Sequence, residues 1–388
     1  MGIEVVPKER DLNDISRLEI KYSKGIFETP NRFVNRNDLN SKNGLGIDIG
    51  ITLKRNLFIN EFKFNLETFK SIKNNNTYLS KVIRELENYF NRVDNSNAFK
   101  ALYFKLTKDI IYEIKRNQKI KSEIIEFIID IINNLQVNID LYLFNVEILP
   151  QSDLDYFEKS EKSNLLGFLR KNDLQYSPII SIKDYMAVKK YTLMYLKKSS
   201  LVPFISYTYS IYTTARNSYR FIKDSLEHIH ENNKGILTIN TPRLVDNRID
   251  VSGVHYSSFI ISDIISEKFI GAFKSVNDSY TKFRLFDKNN LNLPLLEELD
   301  KDPEEYWSDL SSEITDKKIK DLYDRIIKKT PTEEDFKNHR ISYLSRIQEN
   351  IVSTIEFTEM RKYIKNNNLK EYRESKNKMN YLLKSQKL

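Results

Sequence analysis

The chain has 388 residues, a formal net charge of +8, 40% hydrophobic and 30% charged residues, and no cysteine. That length buries a large core, either in one α/β barrel with appendages or in two domains. The absence of cysteine excludes disulfides, thiol catalysis, cysteine-ligated zinc and iron–sulfur clusters. It also fits a reducing cytoplasm. The positive charge permits a polyanionic partner, although abundant lysine raises the charge by itself.

Met1–Arg10 carries charges where a secretory signal needs an apolar core, so no export is expected. Met1–Ser23 reads as a leader strand or arm, and Gly25–Ile51 as loop and strand ending in the apolar Gly44–Ile51. Asn60–Phe69 reads as a further strand pair. Thr77–Asn91 places Leu79, Val82, Ile83, Leu86, Tyr89 and Phe90 at helical spacing. Ala98–Glu113 is ambiguous. Ser122–Leu135 repeats the helical pattern, with Ser122 in the N-cap position. Its apolar run Ile124–Ile132 is broken by Glu126 and Asp130 and is too short to cross a bilayer. A soluble, cytoplasmic protein with no membrane partner is expected.

From Val137 to Phe273 short apolar strands alternate with amphipathic helices. The strands are Val137–Ile148, Pro178–Ile182, Val202–Ser206, Gly235–Asn240 and Lys268–Phe273. The helices are Leu154–Arg170, Asp184–Lys197, Thr213–Glu231 and Tyr256–Ser266. Such repeats mean parallel strands joined by right-handed crossovers, hence an α/β fold. An open nucleotide-binding sheet would show a glycine-rich phosphate loop after a strand, and the chain has none. The expected fold is therefore a (β/α)8 barrel-like parallel barrel with an N-terminal strand segment and a C-terminal helical region. The segments are 1–46, the barrel core 47–275 and the helical region 276–388. Within the last, Ile314–Lys328 reads as one helix and Glu333–Tyr363 as a long one, with Thr332 and Asp335 resembling a capping box. The basic tail Lys365–Leu388 closes the chain.

Barrel chemistry sits where strands end. Asp48, in Gly44-Leu-Gly-Ile-Asp-Ile-Gly50, is a carboxylate at a crowded strand end or a turn aspartate in a hairpin. Arg243, in Asn240-Thr-Pro-Arg243, faces the barrel mouth or is a solvated residue at a helix start. Asp250 and His255 share a loop leading into a helix that carries Asp263. His255 is the candidate active-site histidine, with a loop histidine bonding backbone as the other reading. His228 and His230 point to different helix faces and make a poor metal pair. No metal site and no cofactor is expected, and only a carboxylate-held Mg²⁺ stays open. Tyr209, Tyr212, Arg216 and Arg220 interleave aromatic and basic groups after a strand. Such groups contact phosphates and stack on bases, or form a tyrosine-rich core edge beside a solvated arginine pair.

The segment Gly25-Ile-Phe-Glu-Thr29-Pro30-Asn-Arg-Phe33-Val34 resembles the gly-x-x-x-thr-pro entry strand of the tRNA-guanine transglycosylase family. The segment from His339 to Tyr372, with Glu359-Met360-Arg361-Lys-Tyr-Ile364, resembles that family's closing helix. The family's three-cysteine, one-histidine zinc site and its asp-ser-gly-gly-phe-gln loop have no counterpart. The resemblance is thus to a divergent, zinc-less member, akin to relatives that insert deazaguanine bases into DNA. It implies a (β/α)8 barrel that exchanges guanine for a deazaguanine base in DNA or tRNA. The partners would be a nucleic acid, a small-molecule base, and accessory proteins or a second copy of the chain. Two carboxylates are then needed, one to attack the glycosidic carbon of a flipped-out nucleotide and one to manage protons. Asp48 would be the acid/base and Asp263 the nucleophile, with Asp250 its rival. The alternative is a non-catalytic nucleic-acid-binding or defence-associated protein on a degenerate barrel.

Overall fold

The computed structural model describes residues 2–10, 16–35, 57–74, 77–91, 97–149, 165–196, 201–210, 212–241, 261–267, 285–292, 294, 317–328, 330, 332–337 and 340–376. Strands β1 (Glu4–Arg10), β2 (Ser16–Tyr22) and β3 (Gly25–Glu28) form a small sheet in that order. The main sheet contains β4 (Asn31–Arg32), β5 (Val34–Asn35), β6 (Leu57–Phe64), β7 (Phe99–Leu106), β8 (Leu141–Asn145), β9 (Tyr176–Ser181), β10 (Phe204–Thr208), β11 (Gly235–Thr241) and β12 (Ile264–Glu267). Its order is β4-β12-β11-β10-β9-β8-β7-β6-β5, and the two ends of that order are consecutive pieces of one strand, broken at Phe33. The fold is a mixed α/β, eight-strand parallel barrel, nearly closed, with helices between its strands. Among the described residues no helix is long and apolar enough to cross a membrane.

The chain divides into two units by its contacts. The first comprises residues 1–7, 18–28 and 56–239, and the second residues 8–17, 29–55 and 240–388. In the first unit, β6 to β11 alternate with α1 (Leu66–Asn74), α2 (Tyr78–Asn91), α3 (Lys108–Arg116), α4 (Gln118–Asn134), α5 (Leu165–Lys171), α6 (Tyr185–Leu196) and α7 (Tyr212–Glu231). Each strand buries both faces. On the helix side, Phe62 and Phe64 of β6 meet Phe127 of α4, and Phe104 stacks on Phe144 at 5.5 Å.

Where these strands begin, the β2–β3 hairpin covers them. Tyr22 sets its ring edge-on to Phe99 at 5.2 Å, and Lys24 pairs with Asp140 at 3.2 Å. Asp140 also accepts the Lys100 amide at 2.8 Å. Leu18 reaches Gly235, the first residue of β11, where an added Cβ would stand 2.7 Å from the Phe204 ring and 3.5 Å from Leu18.

The second unit contains β4, β5, β12, α8 (Lys317–Ile327), α9 (Glu333–Lys337), α10 (Arg340–Lys365) and α11 (Leu369–Ser375). Arg32 of β4 is buried and donates to Ser353 Oγ on α10 at 2.8 Å. Arg361 of α10 donates to the Pro30 carbonyl at 2.6 Å. Glu356 of α10 is fully buried, ion-paired with Lys376 and bonded by Tyr372 at 2.7 Å. Burial pushes its carboxyl up in pKa, against the pull of Lys376 and Tyr372.

The structure corrects several expectations. The first barrel strand is Asn31–Asn35, upstream of the boundary at 46/47, because two two-residue pieces are too short to show a period. Asn60–Phe69 is one strand and a helix: after Phe64 the alternation stops, and Asn65 Oδ1 caps α1 by accepting from Thr68 at 2.7 Å. Ala98–Glu113 likewise resolves into β7 and α3. The cap of α4 is Asn117, whose side chain accepts from Lys119, while Ser122 lies inside the helix and bonds back to Gln118. Ile264–Glu267 is a strand and not the end of a helix, because Asn31 and Phe33 donate to the carbonyls of Asp263 and Ile265. The expected strand Lys268–Phe273 lies outside the described residues. The long helix Glu333–Tyr363 is two, α9 and α10.

The capping box does form. Asp335 accepts from Thr332 N at 2.9 Å, and Thr332 Oγ1 accepts from Asp335 N at 3.3 Å. Asp335 also receives both ends of the Arg325 fork, at 3.0 and 3.1 Å. Burial opposes its ionisation, but Arg325 and Thr332 outweigh that and hold the carboxyl down at about 2.

Two outcomes follow from this packing. Gly235→Ala should lower stability by about 1–3 kcal/mol by overpacking against Phe204, read from the urea midpoint. A carboxyl whose pKa is depressed by folding stabilises the fold above its unfolded value and loses that contribution as pH falls. Wild type should therefore lose stability as pH falls from about 4 towards 2, whereas Asp335→Ala should be about 1–2 kcal/mol weaker at neutral pH and lack that acid-dependent part. Thermal melts of both proteins across that range measure it.

Candidate functional site

Strand alternation fixes which side chains share a face. In β6 the residues Phe58, Asn60, Phe62 and Phe64 take one side, and Phe62 and Phe64 show it to be the helix side. Leu57, Ile59, Glu61 and Lys63 therefore take the opposite side. Parallel register sets Glu61 beside Tyr103 and Lys63 beside Lys105, and Tyr103 beside Leu143 of β8. The apolar run on that face ends in charge where the strands end.

There Lys105 Nζ donates to Glu61 Oε2 at 2.8 Å, the lysine side chain 25% exposed and the glutamate 10%. Burial raises the Glu61 pKa, and Lys105 only partly offsets it. Tyr103 is fully buried and donates to Asn145 Oδ1 at 3.4 Å. Asn145 Oδ1 is held by the Leu106 amide at 2.9 Å. Burial, and then the nearby Glu61, keep the Tyr103 hydroxyl protonated far above neutral pH.

Directly after β8 a single 3-10 turn, Val146–Ile148, carries Glu147. Burial raises its carboxyl, against its own amide and against Lys115 and Lys121. Its Oε2 is buried with no hydrogen-bond partner. Lys121 is in turn pushed down by burial, with Glu147 opposing. The rim thus holds a carboxyl raised by burial and paired with a cation, a buried phenol donor and a second desolvated carboxyl. Such groups suit general acid–base work.

The residues expected from sequence fall elsewhere or outside view. Asp48, Arg243, Asp250 and His255 lie outside the described residues. Asp263 is buried and precedes β12, so it stands where that strand begins and not where barrel chemistry sits. Arg216 and Arg220 are exposed on α7. Tyr209 follows β10, donates its amide to Ile239 O at 2.8 Å, and buries a hydroxyl without a hydrogen-bond partner. Tyr212 opens α7. Glu61, Tyr103, Lys105 and Asn145 escaped the sequence reading because β6 and β7 did. The usable signal was the matched alternation, Glu61-x-Lys63 and Tyr103-x-Lys105 closing two apolar strands. No protein-family model matches the sequence, and no curated protein shows significant similarity to it.

Lys105→Met leaves the Glu61 carboxylate without its cation, so its titration midpoint should move further up. Carbon-13 NMR of the glutamate carboxyls, with Glu61→Gln assigning the signal, reads the shift. An unmoved midpoint would show that Lys105 does not hold that charge.

Proposed function

We propose that the chain is a base-exchanging transglycosylase that replaces guanine by a deazaguanine base in DNA or tRNA, working at the rim where β6, β7 and β8 end. The observation that carries this reading is the buried Glu61 carboxyl, raised in pKa yet paired with Lys105 beside the Tyr103–Asn145 donor. Base exchange needs one group that both gives and takes a proton, and a carboxyl raised by burial beside a cation is suited to that role. In the proposed reaction a carboxylate attacks C1′ of a flipped-out guanosine as the C1′–N9 bond breaks. Glu61, protonated, gives its proton to the departing base and later takes one from the incoming base. The new base then displaces the carboxylate from C1′. Asp250 is the proposed nucleophile, since Asp263 precedes its strand, and Asp48 and His255 are further candidates.

Two further observations support the reading. The two segments that resemble the transglycosylase family touch each other, through Arg361 to Pro30 and Arg32 to Ser353. The net charge of +8 suits a polyanionic substrate.

Radiolabelled guanine, offered with DNA and with tRNA, tests it. Wild type should wash label in or out of one of them, and Glu61→Gln should be slowed by about 10²–10⁴-fold, the usual worth of a general acid–base group. A wild-type chain that binds the nucleic acid and exchanges no base would refute the reading in favour of the non-catalytic binder.

A further inference from the structure

α6 has no acidic residue in its sequence, and its exposed side chains are Tyr185, Met186, Lys189, Lys190 and Leu193. Met186 is 70% exposed and Leu193 42%, so a substantial apolar stripe faces water, interleaved with lysine. Of the acids beside this face, Asp184 caps α6, accepting the Ala187 amide at 3.0 Å, and Asp224 stands exposed one turn beyond Arg220 on α7. α7 packs beside α6, and the Tyr185 ring meets Phe221 edge-on at 6.3 Å. Phe221 adjoins Arg220, and Arg216 lies one turn earlier on the same exposed face. Ala215 breaks the helical geometry, so Arg216 opens the regular part of α7. Among the described residues Lys183, Lys189, Arg216 and Arg220 are in no ion pair.

We infer that this α6–α7 face binds a single strand of nucleic acid, its phosphates on Lys189, Lys190, Arg216 and Arg220 and an unpaired base against the Tyr185–Phe221 pair. The choice of occupant rests on charge complementarity combined with the exposed Tyr185 ring and the half-buried Phe221: exposed cations, Lys190 lying over the Tyr191 ring, attract a polyanion, and aromatic faces take bases without regard to sequence. A purely apolar partner would leave the cations desolvated and unpaired. The inference extends the nucleic-acid reading above by naming its docking surface, and it holds for the strand whether or not a base is exchanged.

Fluorescence anisotropy of a labelled thymidine 20-mer with the full chain measures it without any exchange reaction. The double variant Lys189→Glu, Arg220→Glu should bind at least tenfold more weakly. Its plot of log affinity against log salt should be shallower by about 1.4, from about 0.7 per lost single-strand phosphate contact. Tyr185→Ala should weaken binding with the slope unchanged. The control Lys81→Glu, Arg84→Glu places the same charge change on α2, where both residues are exposed. Equal weakening in the control would overturn the inference, because net charge alone would then explain binding. Binding of polyglutamate in place of the oligonucleotide would also overturn it, in favour of an acidic protein. A chain that binds the 20-mer through this face but exchanges no base refutes the proposed reaction and keeps this surface.

Discussion

A parallel strand with helices on one side and a barrel interior on the other has nowhere to put a charge except its end. This constraint governs the first unit. Along β6, β7 and β8 most middle positions are apolar on both faces, with Ile59, Ala101 and Leu143 on one side and Phe58, Leu102 and Phe144 on the other, the buried Asn60 beside Leu102 being polar but uncharged. Two other buried polar groups, in β9 and β10, find partners. Ser177 and Ser206 are buried between strands, and each is satisfied, through a 2.6 Å contact with the other and a bond from Ser177 to the Phe204 carbonyl. A charged group has no such local remedy, so Glu61, in the second half of β6, meets Lys105 near the end of β7.

The two ends of the strands are treated differently, which gives the first unit a direction. The starts are covered by the β2–β3 hairpin, whose Tyr22, Lys24 and Leu18 engage Phe99, Asp140 and Gly235. The charges there are consumed in structure: Asp140 serves both Lys24 and the Lys100 amide. At the opposite ends, Glu147 keeps an oxygen with no hydrogen-bond partner, and Glu61 keeps a raised pKa despite its lysine. Stability would be better served by apolar residues at such positions, since a desolvated pair recovers little of what burial removes. Retaining them is costly for folding, and the cost is placed where the fold can offer a surface to a reactant.

Legibility in the sequence followed the length of each pattern. Helices with two or more apolar turns, such as Thr77–Asn91 and Asp184–Lys197, were legible to within a residue or two, because a period of 3.6 repeats several times within them. The central strands were legible as position but drifted in boundary: Val202–Ser206 is Phe204–Thr208 in the fold. The first strand was not legible at all, since Asn31–Asn35 makes only two short pieces whose meaning lies in its neighbours β12 and β6. The site suffered for the same reason. Histidines and aspartates in glycine-rich loops attract notice because the residue types suggest chemistry, whereas Glu61 and Lys105 sit in strands whose charges look like ordinary solvated positions. Only the register across β6 and β7 makes them a pair.

The second unit applies the same electrostatics to a different end. α10 carries Glu349, Ser353 and Glu356 on one buried stripe, and Arg32, Tyr372 and Lys376 approach that helix from β4 and from the chain beyond it. Buried ions of this kind bind their partners in one geometry only, because any slip leaves a charge desolvated and unpaired. The stripe therefore fixes the angle of α10 on the first barrel strand more tightly than apolar contacts alone would, and Arg361 adds a bond to Pro30 immediately before that strand. The closing helix and the opening strand are thus registered by charge. A fold whose first strand is two short pieces needs such an anchor, since its own hydrogen bonds are too few to set its position.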